Sequence, residues 1–331
     1  MSGLVILHKV SPHIGWAPIN HLISLACSEL DATAMRAPGD GSGFARHLAR
    51  LRRRRPVAGK PHVLFIAMTA ADLRFALTTP GWRDGYDRAA AWIIDSFHTD
   101  HANRRDLAGQ FDHLFVTRPN DAAAFAAISG LPTTILPWGS DVLTLGSGTP
   151  KRDLDLLRVG RQPPVWEDDA AAAADCAARG ILFHGRPPMG KADDEMAHLF
   201  SWYKRARFVL ASSNLVSPAP YVHKTEEYIT ARWTDSLAAG AVVAGVPPRG
   251  DATFASLLWP EAVLDIPLFS RAEGLDVIRE ALDRWTPDLA HHNHVQARKR
   301  LDWRHRLALI AEHFSLSAPR LEASLQRLSH D

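Results

Sequence analysis

Two acidic residues in the second half of this 331-residue sequence are spaced for chemistry. Glu227 lies in the loop-like run Lys224-Thr-Glu-Glu-Tyr-Ile229-Thr230, and Asp235 follows eight positions later inside Ala231-Arg-Trp-Thr-Asp-Ser-Leu-Ala-Ala-Gly240. The second run has helical spacing, so the separation is a little over two turns, and Gly240 can take the left-handed cap that ends it. The loop-to-helix junction at Ile229 and Thr230 offers backbone N–H groups and the positive end of the helix dipole to an anion such as a diphosphate. The Thr230 hydroxyl adds a donor. Carboxylates repel phosphate, so Glu227 and Asp235 suit hydroxyl groups on either side of that anion, a sugar and a ribose. One anion site between two hydroxyl readers is the layout that holds a nucleotide-diphosphate sugar. The competing reading is an ordinary amphipathic helix with an acidic flank.

Cations for the diphosphate are available at several positions. Gly160-Arg161 and Gly185-Arg186 each follow a predicted strand, Lys191 stands five positions after Arg186, and Lys224 stands three before Glu227. A guanidinium fork matches phosphate oxygens in pairs, and spacing alone leaves Arg161 and Arg186 as alternatives. In the first half, Ser11-Pro-His-Ile-Gly15-Trp16 and Asp95-Ser-Phe-His98-Thr-Asp-His101 are loops at predicted strand ends. Gly15 permits close backbone approach to a ligand, and His13 beside it offers a polar contact.

Other clusters point elsewhere. His291-His-Asn-His294 has no cysteine or acidic partner at ligand spacing and reads as a helix start. Asp153-Leu-Asp155 opens a strand instead of following one, the wrong end for a ligand. Arg50-Leu-Arg-Arg-Arg-Arg55 is a solvated helix end, with weak contact to a membrane surface through Arg52–Arg55 as the alternative. No G-x-G-x-x-G opens a domain, and neither a Walker loop nor a G-x-S-x-G elbow occurs. No metal site and no tightly held cofactor are expected.

The elements that must position these residues alternate. Short apolar runs at Leu4–Val10, His62–Met68, Ala91–Asp95, Leu114–Thr117 and Thr133–Leu136 are separated by helical patterns. A second series follows at Leu154–Val159, Ile181–His184, Phe208–Ala211, Ala241–Gly245 and Ala262–Ile266. Apolar strands alternating with helices predict parallel sheets covered on both faces. The Gly- and Pro-rich stretch Pro137–Pro150 divides the two series. The expectation is an α/β chain of two facing Rossmann-like doubly wound domains, residues 1–145 and 146–331, the second with a helical C-terminal tail. Ligands in such sheets bind beyond the carboxyl ends of the strands.

Here the sequence resembles retaining glycosyltransferases of the GT-B type, the group-1 or family-four-like enzymes. Glu227-x7-Asp235 before Ser-Leu-Ala-Ala-Gly resembles their E-x7-E motif, with Asp for the second Glu. Ile135-Leu-Pro-Trp-Gly-Ser-Asp-Val142 resembles their I-P-N-G-V-D segment, with Pro137, Gly139 and Asp141 in register, and Val159-Gly160-Arg161 their V-G-R. Where these enzymes carry Lys five positions after that Arg, this sequence has Trp166. The resemblance implies a nucleotide-sugar donor bound by the second domain and a small-molecule, glycan or lipid-linked acceptor bound by the first. It further implies retention of configuration without a metal ion, with Glu227 and His98 as the catalytic residues. The diphosphate would lie among Arg161, Arg186, Lys191, Lys224, Ile229, Thr230, Asp235 and Gly15. A sugar-nucleotide epimerase on the same fold, or a non-catalytic binding protein, are the rival readings.

Composition adds exclusions. The net charge of +2 gives no general attraction to nucleic acid. Two cysteines build neither a disulfide framework nor a cysteine metal site. No apolar run approaches a membrane span, and Met1–Val10 lacks a cleavage-site pattern. The expected location is the cytoplasm.

Overall fold

The computed structural model describes residues 3–9, 14–37, 58–79, 81–188, 195–267 and 269–330. His13, Lys191 and the arginine run Arg52–Arg55 lie outside them. The chain divides into two compact units.

The first unit is built on six parallel strands: β1 (Leu4–His8), β2 (Thr33–Arg36), β3 (His62–Ala67), β4 (Ala89–Ile93), β5 (His113–Val116) and β6 (Thr133–Ile135). Their order is β2-β1-β3-β4-β5-β6. β4 and most of β3 are buried along their length, as strands covered on both faces must be, and Phe65, Phe75, Phe111, Leu114 and Phe125 pack on one side. β2 is the strand that hydrophobic patterning missed. All four of its residues are exposed, so only pairing to β1 makes it a strand. Helices α1 (Ala17–Glu29) and α2 (Pro119–Ser129) flank the sheet, and α2 ends at Gly130, whose φ of 71° is the left-handed cap. A buried polar knot ties the loop after β4 to α2: Ser96 Oγ donates to Asp121 at 2.6 Å, and Arg118 donates to the same carboxylate at 2.6 and 2.9 Å.

The second unit has five parallel strands, β7 (Leu154–Arg158), β8 (Phe183–His184), β9 (Ala206–Leu210), β10 (Val242–Gly245) and β11 (Val263–Asp265), in the order β11-β10-β9-β7-β8. Its longer helices are α3 (Asp169–Ala177), α4 (Glu195–Tyr203), α5 (Ala231–Ala238), α6 (Arg271–Arg284) and α7 (Pro287–Arg300). The tail forms α8 (Trp303–Phe314) and α9 (Pro319–Ser329).

The division between units departs from the expected 145/146 boundary. Unit one is Met1–Pro137 with Arg306–Leu325, and unit two is Trp138–His305 with Gln326–Asp331. Trp138–Leu145 joins the second unit because Arg304 is paired with buried Asp141 at 2.7 Å and Asp302 at 3.2 Å, and because Ser140 and Leu301 share a backbone bond of 2.8 Å. Most of the tail joins the first unit because Phe314 stacks on His62 (5.3 Å between centroids) and Arg88 donates to the His313 carbonyl. Asp155, read as a strand-start residue, is buried, accepting from the Leu182 amide at 2.8 Å and from Arg207.

Candidate functional site

In the second sheet β7 lies between β8 and β9, so the chain leaves β7 on one side and returns on the other. Such a switch point opens a crevice at the strand carboxyl ends. Buried Gln162 joins those ends, its amide donating to Val159 O at 3.1 Å and Leu210 O at 2.8 Å. After β9 come Ser213 and Asn214, both buried. Ser213 Oγ donates to Glu227, and the Gly250 amide donates to the other Glu227 oxygen at 2.7 Å. Asn214 holds the intervening loop by donating to Glu226 O at 2.9 Å and accepting from Tyr228 N at 3.3 Å. Glu227 is therefore a half-buried carboxylate fixed from two sides beside the start of α5.

The cations follow the same turn. Gly160, with φ of 67°, lets the chain reverse after β7, and Arg161 follows. Its Nε donates to Ser217 O and its Nη1 to the Tyr221 hydroxyl at 2.8 Å, with the guanidinium 5.2 Å from that ring's centre. Arg232, second residue of α5, donates to the Arg161 carbonyl. Burial first, and then the Arg161 charge, pull its pKa down to about 10. Thr230 is the N-cap of α5, yet its hydroxyl makes no cap bond and its oxygen is buried without a partner.

At the strand ends of the first unit, Asp72 accepts from the amides of Met68 (3.1 Å) and Thr69 (3.2 Å), and Lys9 Nζ lies 3.4 Å from its second oxygen. Burial, with Asp72 adding to it, pushes the Asp95 carboxyl up to about 7. Half-buried His98 stacks on His101 at 4.8 Å between ring centroids, 14° apart. His98, Asp100 and His101 form the one group among the described residues whose ligand atoms, all within 4.8 Å of one another, could hold a metal ion.

No protein-family model and no curated protein matches the chain. Solved structures do. The HepE protein of Anabaena, solved in complex with UDP-glucose, superposes with a TM-score of 0.56 at 11% identity, over 94% of this chain and 99% of that one. A sucrose-phosphate synthase from Thermosynechococcus elongatus gives 0.54 at 11% identity, over 94% and 98%. The fold is GT-B.

Within this GT-B fold the expected residues separate into two groups. Glu227, Arg161, Ile229 and Thr230 come together at the β7/β9 switch point, and exposed Lys224 stands on the loop before them. Two of the expected roles need correction. The Ile229 amide is not available to an anion, because it donates to Asp251 at 2.8 Å. Asp235 is 2% exposed and accepts from Ser140 at 2.7 Å, so its carboxylate packs α5 against the Trp138–Leu145 segment instead of facing a ribose. Arg186 is exposed at the end of β8, 3.8 Å from Glu167, with its amide on Asp169. Gly15 is an exposed residue in the turn before α1. Trp166, at the position of the expected lysine, is core. Sequence reasoning passed over Ser213, Gly250, Asp251 and Arg232, and Asp72 and Asp95 as a pair. A serine-asparagine pair directly after a strand, and an arginine inside the Glu227–Asp235 spacing, were the available signals.

Proposed function

We propose that the chain is a glycosyltransferase that moves a sugar from a nucleotide-diphosphate sugar to a small-molecule, glycan or lipid-linked acceptor, with retention and without a metal ion, in the cytoplasm. The observation that carries this reading is Glu227. Ser213 and Gly250 each donate to one of its oxygens and so fix a half-buried carboxylate at the strand ends beside the start of α5, where it can accept from sugar hydroxyls. Beside it stand Arg161 and the start of α5, suited to a diphosphate. As the sugar leaves, the anomeric C–O bond breaks, its electron pair goes to the phosphate oxygen, and fixed positive charge stabilises that oxygen. The strand ends of the first unit, with Asp72, Asp95 and His98, are the acceptor-reading surface in this view. No helix among the described residues is long and apolar enough to cross a membrane.

A sugar-nucleotide epimerase is the second reading, favoured by one observation: a carboxyl near pKa 7, Asp95, is suited to acid–base work. The test is calorimetry with UDP and UDP-glucose in chelator, followed by product analysis with and without candidate acceptors. Transfer or donor hydrolysis supports the first reading. An epimeric nucleotide sugar formed without acceptor supports the second.

A further inference from the structure

At the amino ends of the first sheet's strands, opposite the ends that carry Asp72, Asp95 and His98, several rings and one cation meet. His62 opens β3, His113 opens β5, and Arg88 immediately precedes β4. The last two residues of α8, His313 and Phe314, lie against them, and all five belong to the first unit. Phe314 is buried and stacks on His62 with 18° between the rings. The His313 ring is 4.3 Å from that of His113 and stands edge-on to Phe115 at 5.4 Å. Arg88 donates to the His313 carbonyl at 2.5 Å, and its second terminal nitrogen lies 3.5 Å from His313 Nε2.

These contacts suit neutral imidazoles and penalise charged ones. Arginine can only donate, so His313 Nε2 faces Arg88 with a lone pair, and a proton there sets cation against cation. A charge on His113 repels a charged His313 in the same way. His62 Nδ1 is buried without a hydrogen-bond partner; in an imidazolium it becomes a buried N–H with nothing to receive it, which is costly. Two carboxylates, Asp87 and Asp112, favour protonation, and Arg83 and Arg88 oppose it. Asp112 is already occupied, accepting from Arg83 at 2.5 Å and from the Ala89 amide at 2.8 Å. Burial is the largest influence on all three rings and holds each below the ordinary histidine pKa of 6.5; with the His113 ring and Arg88 adding to it, His313 is lowered to about 4.

We propose that His313, His113 and His62 form, with Arg88, an acid-sensitive latch: neutral rings dock the end of α8 on the amino ends of β3 to β5, and protonation undocks it. A purely apolar contact would hold the helix at any pH, whereas imidazoles hold it conditionally. The latch is independent of the donor reading. Above pH 6.5 the rings are neutral whether docked or free, so docking has its full strength. Below 6.5 the free rings take up protons that the docked ones refuse, and docking weakens until His313 is charged in both states, near pH 4. Asp95 titrates over the same range with the opposite sign, so global melting mixes the two effects and the readout must be local.

The experiment is hydrogen–deuterium exchange of the full chain at pH 7.5 and 5.0, corrected for intrinsic exchange and read peptide by peptide, for the wild type and His313→Gln. An NMR titration of the histidine ring signals in the wild type accompanies it. From His313 alone, docking should weaken roughly 10- to 30-fold at the lower pH. Protection of residues 308–318 should drop by that factor while β3 and β4 keep theirs. Glutamine keeps an acceptor towards Arg88 and does not titrate, so the drop should be several-fold smaller in the variant. An equal drop in both proteins overturns the proposal. So does unchanged protection in the wild type, or a loss shared by β3 and β4, which marks ordinary acid unfolding. If His313→Gln leaves the end of α8 unprotected at pH 7.5, the wild-type titration decides: a His313 midpoint well below 6.5 upholds the latch, and one at the ordinary value overturns it.

Discussion

Replacing Glu227 by Gln removes one charge and little else, which makes it the sharpest probe of the site. The carboxylate accepts from Ser213 and Gly250, one bond to each oxygen. An amide keeps one acceptor oxygen for the Gly250 N–H, and its NH2 can donate to Ser213, whose hydroxyl turns to accept. These charge-assisted bonds to Ser213 and Gly250 become neutral ones, a loss of about 1–2 kcal/mol in stability. The fold should therefore survive. A sugar hydroxyl held by the charged oxygen in the transition state loses more, and transfer should fall roughly tenfold to a thousandfold. Affinity for bare UDP should hold or rise slightly, because a carboxylate beside the diphosphate is gone. The assay pairs turnover on the nucleotide sugar with calorimetry of UDP. Wild-type turnover in the variant would mean that Glu227 only braces the loop through Ser213 and Gly250, and the reading of a sugar-binding carboxylate would fall.

Other expectations are independent of that one. UDP at about 100 times its dissociation constant should stabilise the protein by about 2.7 kcal/mol with chelator present. Stabilisation that disappears in chelator would assign a metal to the donor site, or to the His98, Asp100 and His101 group. Arg161→Ala should weaken UDP by about 1.5–3 kcal/mol, whereas Arg186→Ala, exposed beside Glu167, should change it by less than about 0.5 kcal/mol; the reverse ranking would move the diphosphate to the end of β8. Asp95 sets a pH dependence. Its folded pKa of about 7 lies above the unfolded value of about 4, so the folded state binds the extra proton between them. Stability should fall as pH rises through that window and level off above it. Asp95→Asn should flatten the decline, and a variant with an unchanged slope in chemical denaturation would refute the burial argument.

The parallel sheets were legible because their strands are buried on both faces, which leaves short apolar runs that no helix of ordinary length would show. Every expected run became a strand. β2 escaped because Thr33–Arg36 forms an edge with no buried residue, and an edge strand is specified by its neighbour's hydrogen bonds more than by its own side chains. The division of the tail between the two units was not legible for a related reason. Phe314, His313 and Trp303 are all apolar or aromatic positions in a helical pattern, and nothing in that pattern states which of two cores they enter.

The site shows where spacing stops informing. Glu227 and Asp235 are equivalent in sequence, two acids bracketing one helix start, and the reading gave both a hydroxyl. The structure separates them through residues that spacing cannot reach. Ser213 and Gly250 come from the ends of β9 and β10 to hold Glu227 half-exposed, while Ser140, 95 positions away in the chain, closes over Asp235. The same geometry explains why Arg232 was overlooked. An arginine inside an amphipathic helix reads as a solvated face, and only the crossing of Gly160 after β7 turns it inward beside Arg161.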